Sequence, residues 1–254
     1  MTAFTSMLKI NMKRRFCDGF AVGYNLIFPI IMIGLLGLLC KKNSYGGISS
    51  YQYYAVVMIP FCMIMAVITA AYAGKDDAYV KTAQRILVTP VSVRAIVWVK
   101  IISCSIVIFL CSMLVYAGAC VFVKFDIRSI GLAGLLYLAL AFAVAAIGTL
   151  IGLGMKNFMI LKNILNIPIV LWAILGGTFF QIGTFHAWGN LLLNLSPVHW
   201  INRSLFMLLY EKDDSLLLRV VIALAAAGGI CSVLAVKTFK KGEYMNGDLP
   251  GYEE

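Results

Sequence analysis

The sequence predicts an all-α integral membrane protein with six transmembrane helices, and three observations carry that prediction. Of its 254 residues, 62% are apolar and only 13% are charged. Mean hydropathy is +0.93. Six separate windows reach the roughly 20 mainly apolar residues that a helix needs to cross a bilayer. A soluble domain with so few charges would expose large apolar patches, whereas lipid accepts such a surface. The formal charge of +10 would suggest nucleic acid in a soluble domain. Here the basic residues sit in short stretches between apolar runs, where they set orientation and meet anionic headgroups. Membrane lipid, not nucleic acid, is the expected partner of that charge.

The windows are 20–40, 51–73, 101–123, 130–155, 163–185 and 216–236, and only the last contains a charge, Arg219. Backbone groups in hydrocarbon must bond internally, so these runs are helices. They are continuous rather than alternating, which excludes a β-barrel. The first run begins at Phe20, is too long for a signal-peptide core and lacks an A-x-A site, so it is expected to stay in the mature chain. With the N-terminus inside, fourteen of the 21 Lys and Arg residues fall on the inner side, which puts both termini in the cytoplasm.

Residues 182–202 compete for a seventh crossing. They carry Gly183, Gly189, Pro197 and both histidines, which a full crossing would bury or break. They read as a re-entrant or interfacial hairpin on the outer side, with Trp188 and Trp200 at headgroup level. Residues 1–241 thus form one transmembrane domain, and 242–254 a short, mostly disordered cytoplasmic tail. Gly148 and Gly152 have small-x-x-x-small spacing, which suits packing within the chain as well as dimerisation. The seven cysteines lie mostly in apolar runs without a C-x-x-C pair and read as small buried hydrophobes. A Cys40–Cys120 disulfide is the alternative, because both lie near span ends on one side.

No span carries an ionisable residue near its middle, which argues against a proton- or sodium-coupled carrier. There is no H-E-x-x-H, no G-x-S-x-G and no Walker A sequence, so no catalytic, cofactor or metal site is expected and any pumping energy must come from a partner. Two amphipathic pieces stand out. Before the first span, Phe4, Met7, Leu8, Met12 and Phe16 alternate with Lys9, Lys13, Arg14 and Arg15, as in a helix lying in the inner interface. Between spans two and three, Tyr79, Ala83, Ile86 and Leu87 share one helical face, with Asp77, Lys81, Gln84 and Arg85 on the other. Pro90 stops this helix and Ser92 can cap the next. It reads equally as a solvated connector or as a docking helix.

The run Thr82-Ala83-Gln84-Arg85-Ile86-Leu87-Val88-Thr89-Pro90-Val91-Ser92 resembles the GT-x-E-R-L-L-x-T-P-V-S loop of type-2 ABC exporter permeases, the transmembrane subunits of bacterial drug, polyketide and antibiotic-peptide exporters. Leu195-Ser196-Pro197-Val198-His199-Trp200 resembles the S-P-x-x-W element before their last span. The resemblance implies a multi-pass plasma-membrane protein that pairs with a second copy or a homologous permease. It also implies two cytoplasmic ATPase subunits, which bind the ATP and Mg; this chain itself would be no enzyme. A coupling helix over about 75–88 would meet the ATPase through Lys75, Asp77, Tyr79, Lys81, Gln84, Arg85, Ile86 and Leu87. A connecting helix over about 2–17 would include Phe4, Leu8, Lys13, Arg14 and Arg15, and outer re-entrant helices would cover about 183–210. Where the family has glutamate before the arginine, this chain has Gln84, so any ion pair of that glutamate is lost. Spans one and five would line an apolar path, with Asn163, Asn166 and Gln181 as its polar groups. The resulting expectation is outward transport of an amphiphilic drug, antibiotic peptide or lipid-like substrate. The alternatives are a polysaccharide exporter, a lantibiotic immunity permease, or a non-transporting membrane receptor or scaffold.

Overall fold

The structure is a computed structural model that describes residues 3–41, 48–79, 82–88, 91–123, 125, 129–154, 158–179, 193–239 and 244. Among these residues the chain is helical, without strands. Helix α1 (Ala3–Phe16) leads into α2 (Gly19–Leu39). Asp18 separates them because its carboxylate accepts the Phe20 and Ala21 N–H groups at 3.1 and 3.2 Å, an N-cap that starts α2. Helices α3 (Ser50–Met65) and α4 (Val67–Tyr79) stack end to end through a joint at Ala66. A reciprocal capping box between Ser49 and Gln52 opens α3. Then follow α5 (Ala83–Val88), α6 (Val93–Val123), α7 (Ile130–Gly154), α8 (Phe158–Leu175), α9 (Pro197–Phe206) and α10 (Ser215–Lys237).

Five stretches are long and apolar enough to cross a membrane: Gly19–Leu39, Ser50–Asp77, Val93–Val123, Ile130–Gly154 and Ser215–Lys237. They correspond to expected spans one, two, three, four and six. The fifth expected span, 163–185, differs. Helix α8 ends at Leu175, ten residues early, where Gly176 and Gly177 turn the chain and Gly177 takes φ 72°. Residues 180–192, with Gln181 and Trp188, lie outside the described residues. Two spans also run further than the apolar windows. Helix α6 begins at Val93 and α4 reaches Tyr79, and Lys100 and Asp77 in these extensions are paired inside the protein.

Helix α7 is the hub, packing against α10, α4 and α6. Its small residues make this possible. A Cβ on Gly148 would lie 2.5 Å from the Ala70 Cβ, and one on Gly152 would run into the Ala71 carbonyl. Gly228 of α10 likewise lies against the Phe142 ring of α7, where a Cβ would come within 2.6 Å. The Gly148/Gly152 pair therefore serves packing within the chain. The α3–α4 stack is the most deeply buried of the five stretches, whereas α2 and α10 turn most of their apolar side chains outward.

At one end of the bundle, α9 folds back on α3, α8 and α10 through fully buried Val198, Ile201 and Leu205. Side chains at the start of α9 and within it also bond to carbonyls at the end of α8. Ser196 Oγ donates to the Trp172 carbonyl at 2.8 Å, and Asn202 Nδ2 to the Gly176 carbonyl at 3.0 Å. Trp200 donates its indole N–H to the Asn194 carbonyl at 2.8 Å. The opposite end, here called basal, carries α1, α5 and the described part of the tail. All seven cysteines are free thiols, so Cys40 and Cys120 form no disulfide.

Candidate functional site at the basal end

The site is built on Asp77, near the end of α4. Its side chain is only 3% exposed, yet four donors reach it, the Thr82 hydroxyl at 3.4 Å from Oδ1 being the most distant. Arg14 of α1 lies 2.8 Å from Oδ1, Lys100 of α6 lies 2.7 Å from Oδ2, and the Tyr244 hydroxyl donates to Oδ2 at 2.6 Å. A buried carboxylate is tolerable only when paired and hydrogen-bonded in this way. Lys100 is equally buried and spends a second proton on the Ala73 carbonyl at 2.8 Å. The Tyr244 ring sits beneath the same ammonium, 5.7 Å from ring centroid to Nζ.

A second set of pairs surrounds the first. Arg15 of α1, with a side chain 5% exposed, pairs with Asp76 of α4 and lies 3.7 Å from Asp18, the cap of α2. Three cations (Arg14, Arg15, Lys100) thus meet three carboxylates (Asp18, Asp76, Asp77). The Thr82 N–H donates to the Asp77 carbonyl at 2.9 Å, so the chain entering α5 starts from the same residue. Ala83 is fully buried, and Ile86 packs on a basal apolar cluster that includes Ile96, Val97, Ile101, Phe239 and Tyr244. Burial, and then the neighbouring Asp77 carboxylate, hold the Tyr244 phenol well above its ordinary pKa. Tyr244 is therefore a neutral donor at physiological pH.

Mechanically, the cluster ties α1, α2, α4, α6 and the tail to the root of α5. The ion pairs themselves join α1, α4, α6 and the cap of α2, and α5 follows them through the Thr82 N–H on the Asp77 carbonyl; losing one partner of such a buried pair is strongly destabilising.

The expected coupling helix over about 75–88 is corrected. Lys75, Asp77 and Tyr79 belong to the end of α4, and only 83–88 form the separate helix α5. Burial of Asp77 among Arg14, Lys100 and Tyr244 keeps this end of α4 packed inside the bundle. Lys75 is also buried. Ile86 lies on the inward face of α5, as the periodicity predicts. Gln84, Arg85 and Leu87 are helical, but their side chains, that of Tyr79 and all of Lys81 lie outside the described residues.

The interfacial helix is present as α1, yet its buried side is not the apolar stripe. Asn11 and Arg15 face inward, while Ile10 and Phe16 are exposed and Phe4 and Leu8 half-buried. The charge cluster, rather than apolarity, decides which side docks on α6; Lys13 points outward and Arg14 inward to Asp77. The tail expectation is corrected at one position, because Tyr244 is 4% exposed rather than free. Asn166 is half-buried on α8, and its Oδ1 has no partner among the described residues. The side chain of Asn163 lies outside the described residues.

Asp18, Asp76, Lys100 and Tyr244 were not singled out by sequence. Lys100 carried a usable signal: it is flanked by Val97-Trp98-Val99 and Ile101-Ile102, and a lysine inside an apolar helix needs a carboxylate. Asp76-Asp77, at the end of another apolar helix, supplies it.

The fold is thus that of an all-α, multi-pass membrane protein with an ionic joint at one end. The family profile described as ABC-2 type transporter matches residues 2–210, and the chain belongs to that family. No curated protein matches the chain.

Proposed function

We propose that this ABC transporter permease subunit works as an exporter, driven through the basal joint by separate ATPase subunits. The observation that carries the reading is the three-way grip on Asp77, which holds α1, α4, α6 and Tyr244 together at the residue whose carbonyl takes the Thr82 N–H at the entry to α5. Under this reading the basal end is cytoplasmic, in agreement with the Lys and Arg bias. Two ATPase subunits bind ATP and Mg and dock on α5, with Gln84, Arg85 and Leu87 as the proposed contact residues. A second permease copy covers part of the apolar surface that α2 and α8 turn outward, including Ile167, Leu171, Ile30 and Ile31. The path between the copies is apolar and suits an amphiphilic drug, antibiotic peptide or lipid-like substrate, with Asn163, Asn166 and Gln181 as its polar groups.

The test is co-purification with the ATPase encoded nearest the gene. Arg85→Glu and Leu87→Asp should each abolish the complex while leaving membrane insertion intact. Normal ATPase binding by both variants would refute the docking assignment.

A further inference from the structure

Just above the ionic joint, where α1, α2, α4 and α6 meet, lies a small, partly open cavity lined by Arg15, Asn25, Thr69 and Cys104 together with apolar Ala21, Val107 and Ile108. Two of its lining residues hold buried polar atoms with no partner among the described residues: Nε of Arg15, a donor, and Oδ1 of Asn25, an acceptor. Their residues are 4% and 3% exposed. Each unmet atom carries the full desolvation cost of a buried polar group. Their remaining atoms are committed elsewhere, Asn25 Nδ2 to the Ala21 carbonyl at 2.7 Å and the Arg15 terminal nitrogens to Asp76 and Asp18.

We propose that a single ordered water occupies this cavity, accepting from Arg15 Nε and donating to Asn25 Oδ1. The needs of the two atoms are complementary, and water both accepts and donates. The free space, about 10 Å³ for the centre of a water-sized sphere, is near the least that holds one molecule. An anion does not fit the chemistry, because two carboxylates already meet the Arg15 charge. Thr69 Oγ1 donates to the Ala66 carbonyl at 2.8 Å and keeps lone pairs for the second water proton. Asn25 lies in a π-helical turn of α2, Gly23–Ile27, a local widening that recurs at functional positions. The water joins this turn to the interfacial helix and extends the ionic joint one step into the membrane span.

The full chain in lipid nanodiscs tests this by two readouts. A density map at about 2 Å resolution should show one isolated peak within hydrogen-bond distance of Arg15 Nε and Asn25 Oδ1. Radiolytic labelling in ¹⁸O-water should oxidise buried Cys104, which lines the cavity, and Asn25→Leu should reduce that labelling several-fold. An empty cavity, a lipid headgroup or direct contact between the two side chains in the map would overturn the proposal. So would Cys104 labelling that is absent or unchanged in Asn25→Leu; the wild-type map decides even if that variant fails to fold.

Discussion

Lys100 and Asp77, residues of two different spans, lie 2.7 Å apart with side chains 2% and 3% exposed. The contact is a fully desolvated ion pair, and its energetics differ from those of a surface pair. Removing one partner leaves an uncompensated buried charge, at a cost of about 3–5 kcal/mol, while replacing both can be nearly neutral. Lys100→Met and Asp77→Asn should each lower the thermal stability of the purified protein sharply. The double variant should recover a large part of the loss. A double-variant cycle read by thermal unfolding in detergent checks this, and strictly additive losses would exclude the coupling.

Tyr244 anchors the tail through a bond to an ionised acceptor, a class worth roughly 1.5–3 kcal/mol. Tyr244→Phe should keep the ring under Lys100 but loosen the tail. Faster proteolytic trimming of the C-terminus, with the spans intact, is the expected outcome.

The same contact has a defined pH response. The phenol's pKa is raised from its ordinary 10.0 when docked, so the neutral form favours docking. The stabilisation is complete below that ordinary value and falls as the pH rises above it. A fluorophore placed on the tail should report docking that is constant from neutral pH up to about 10 and weakens only beyond it. Release near neutrality would contradict the burial of the phenol.

The contact between α7 and α4 depends on missing side chains. Gly152→Ala forces a methyl group against the Ala71 carbonyl, an overpacking that typically costs 1–3 kcal/mol. Gly118 of α6 has open space around it, and there alanine should be neutral or stabilising by up to about 1 kcal/mol. Melting temperatures of the two variants should move in opposite directions or differ by several degrees.

Gly177, at φ 72°, ends α8 in the left-handed region. Gly177→Ala should cost about 1–2 kcal/mol. It should also loosen the adjoining contacts of Ser196 and Asn202, which hydrogen–deuterium exchange across α9 would record.

Apolar run length was enough to locate five of the expected spans, because hydrocarbon leaves the backbone no alternative to helix. The stop at Leu175 was less legible. Residues 163–185 are uniformly uncharged, and the turn at Gly176–Gly177 depends on Ser196, Asn202 and Tyr53 arriving from elsewhere to take up free carbonyls. The loop resemblance placed α5 near Ala83–Val88, yet it also drew Lys75 and Asp77 into that helix. Local periodicity cannot register that a carboxylate at the end of a span is buried by Arg14, 63 residues earlier, and Tyr244, 167 residues later.

By itself the sequence determined that this chain is a helical membrane protein, where most of its spans lie and to which family it is akin. These properties follow from solvation summed over adjacent residues and from a short contiguous motif. Only the tertiary structure decided that polar groups scattered over the N-terminal helix, two spans and the tail converge around Asp77. Ion pairing inside a low-dielectric bundle depends on distance in space, and spacing along the chain does not encode it.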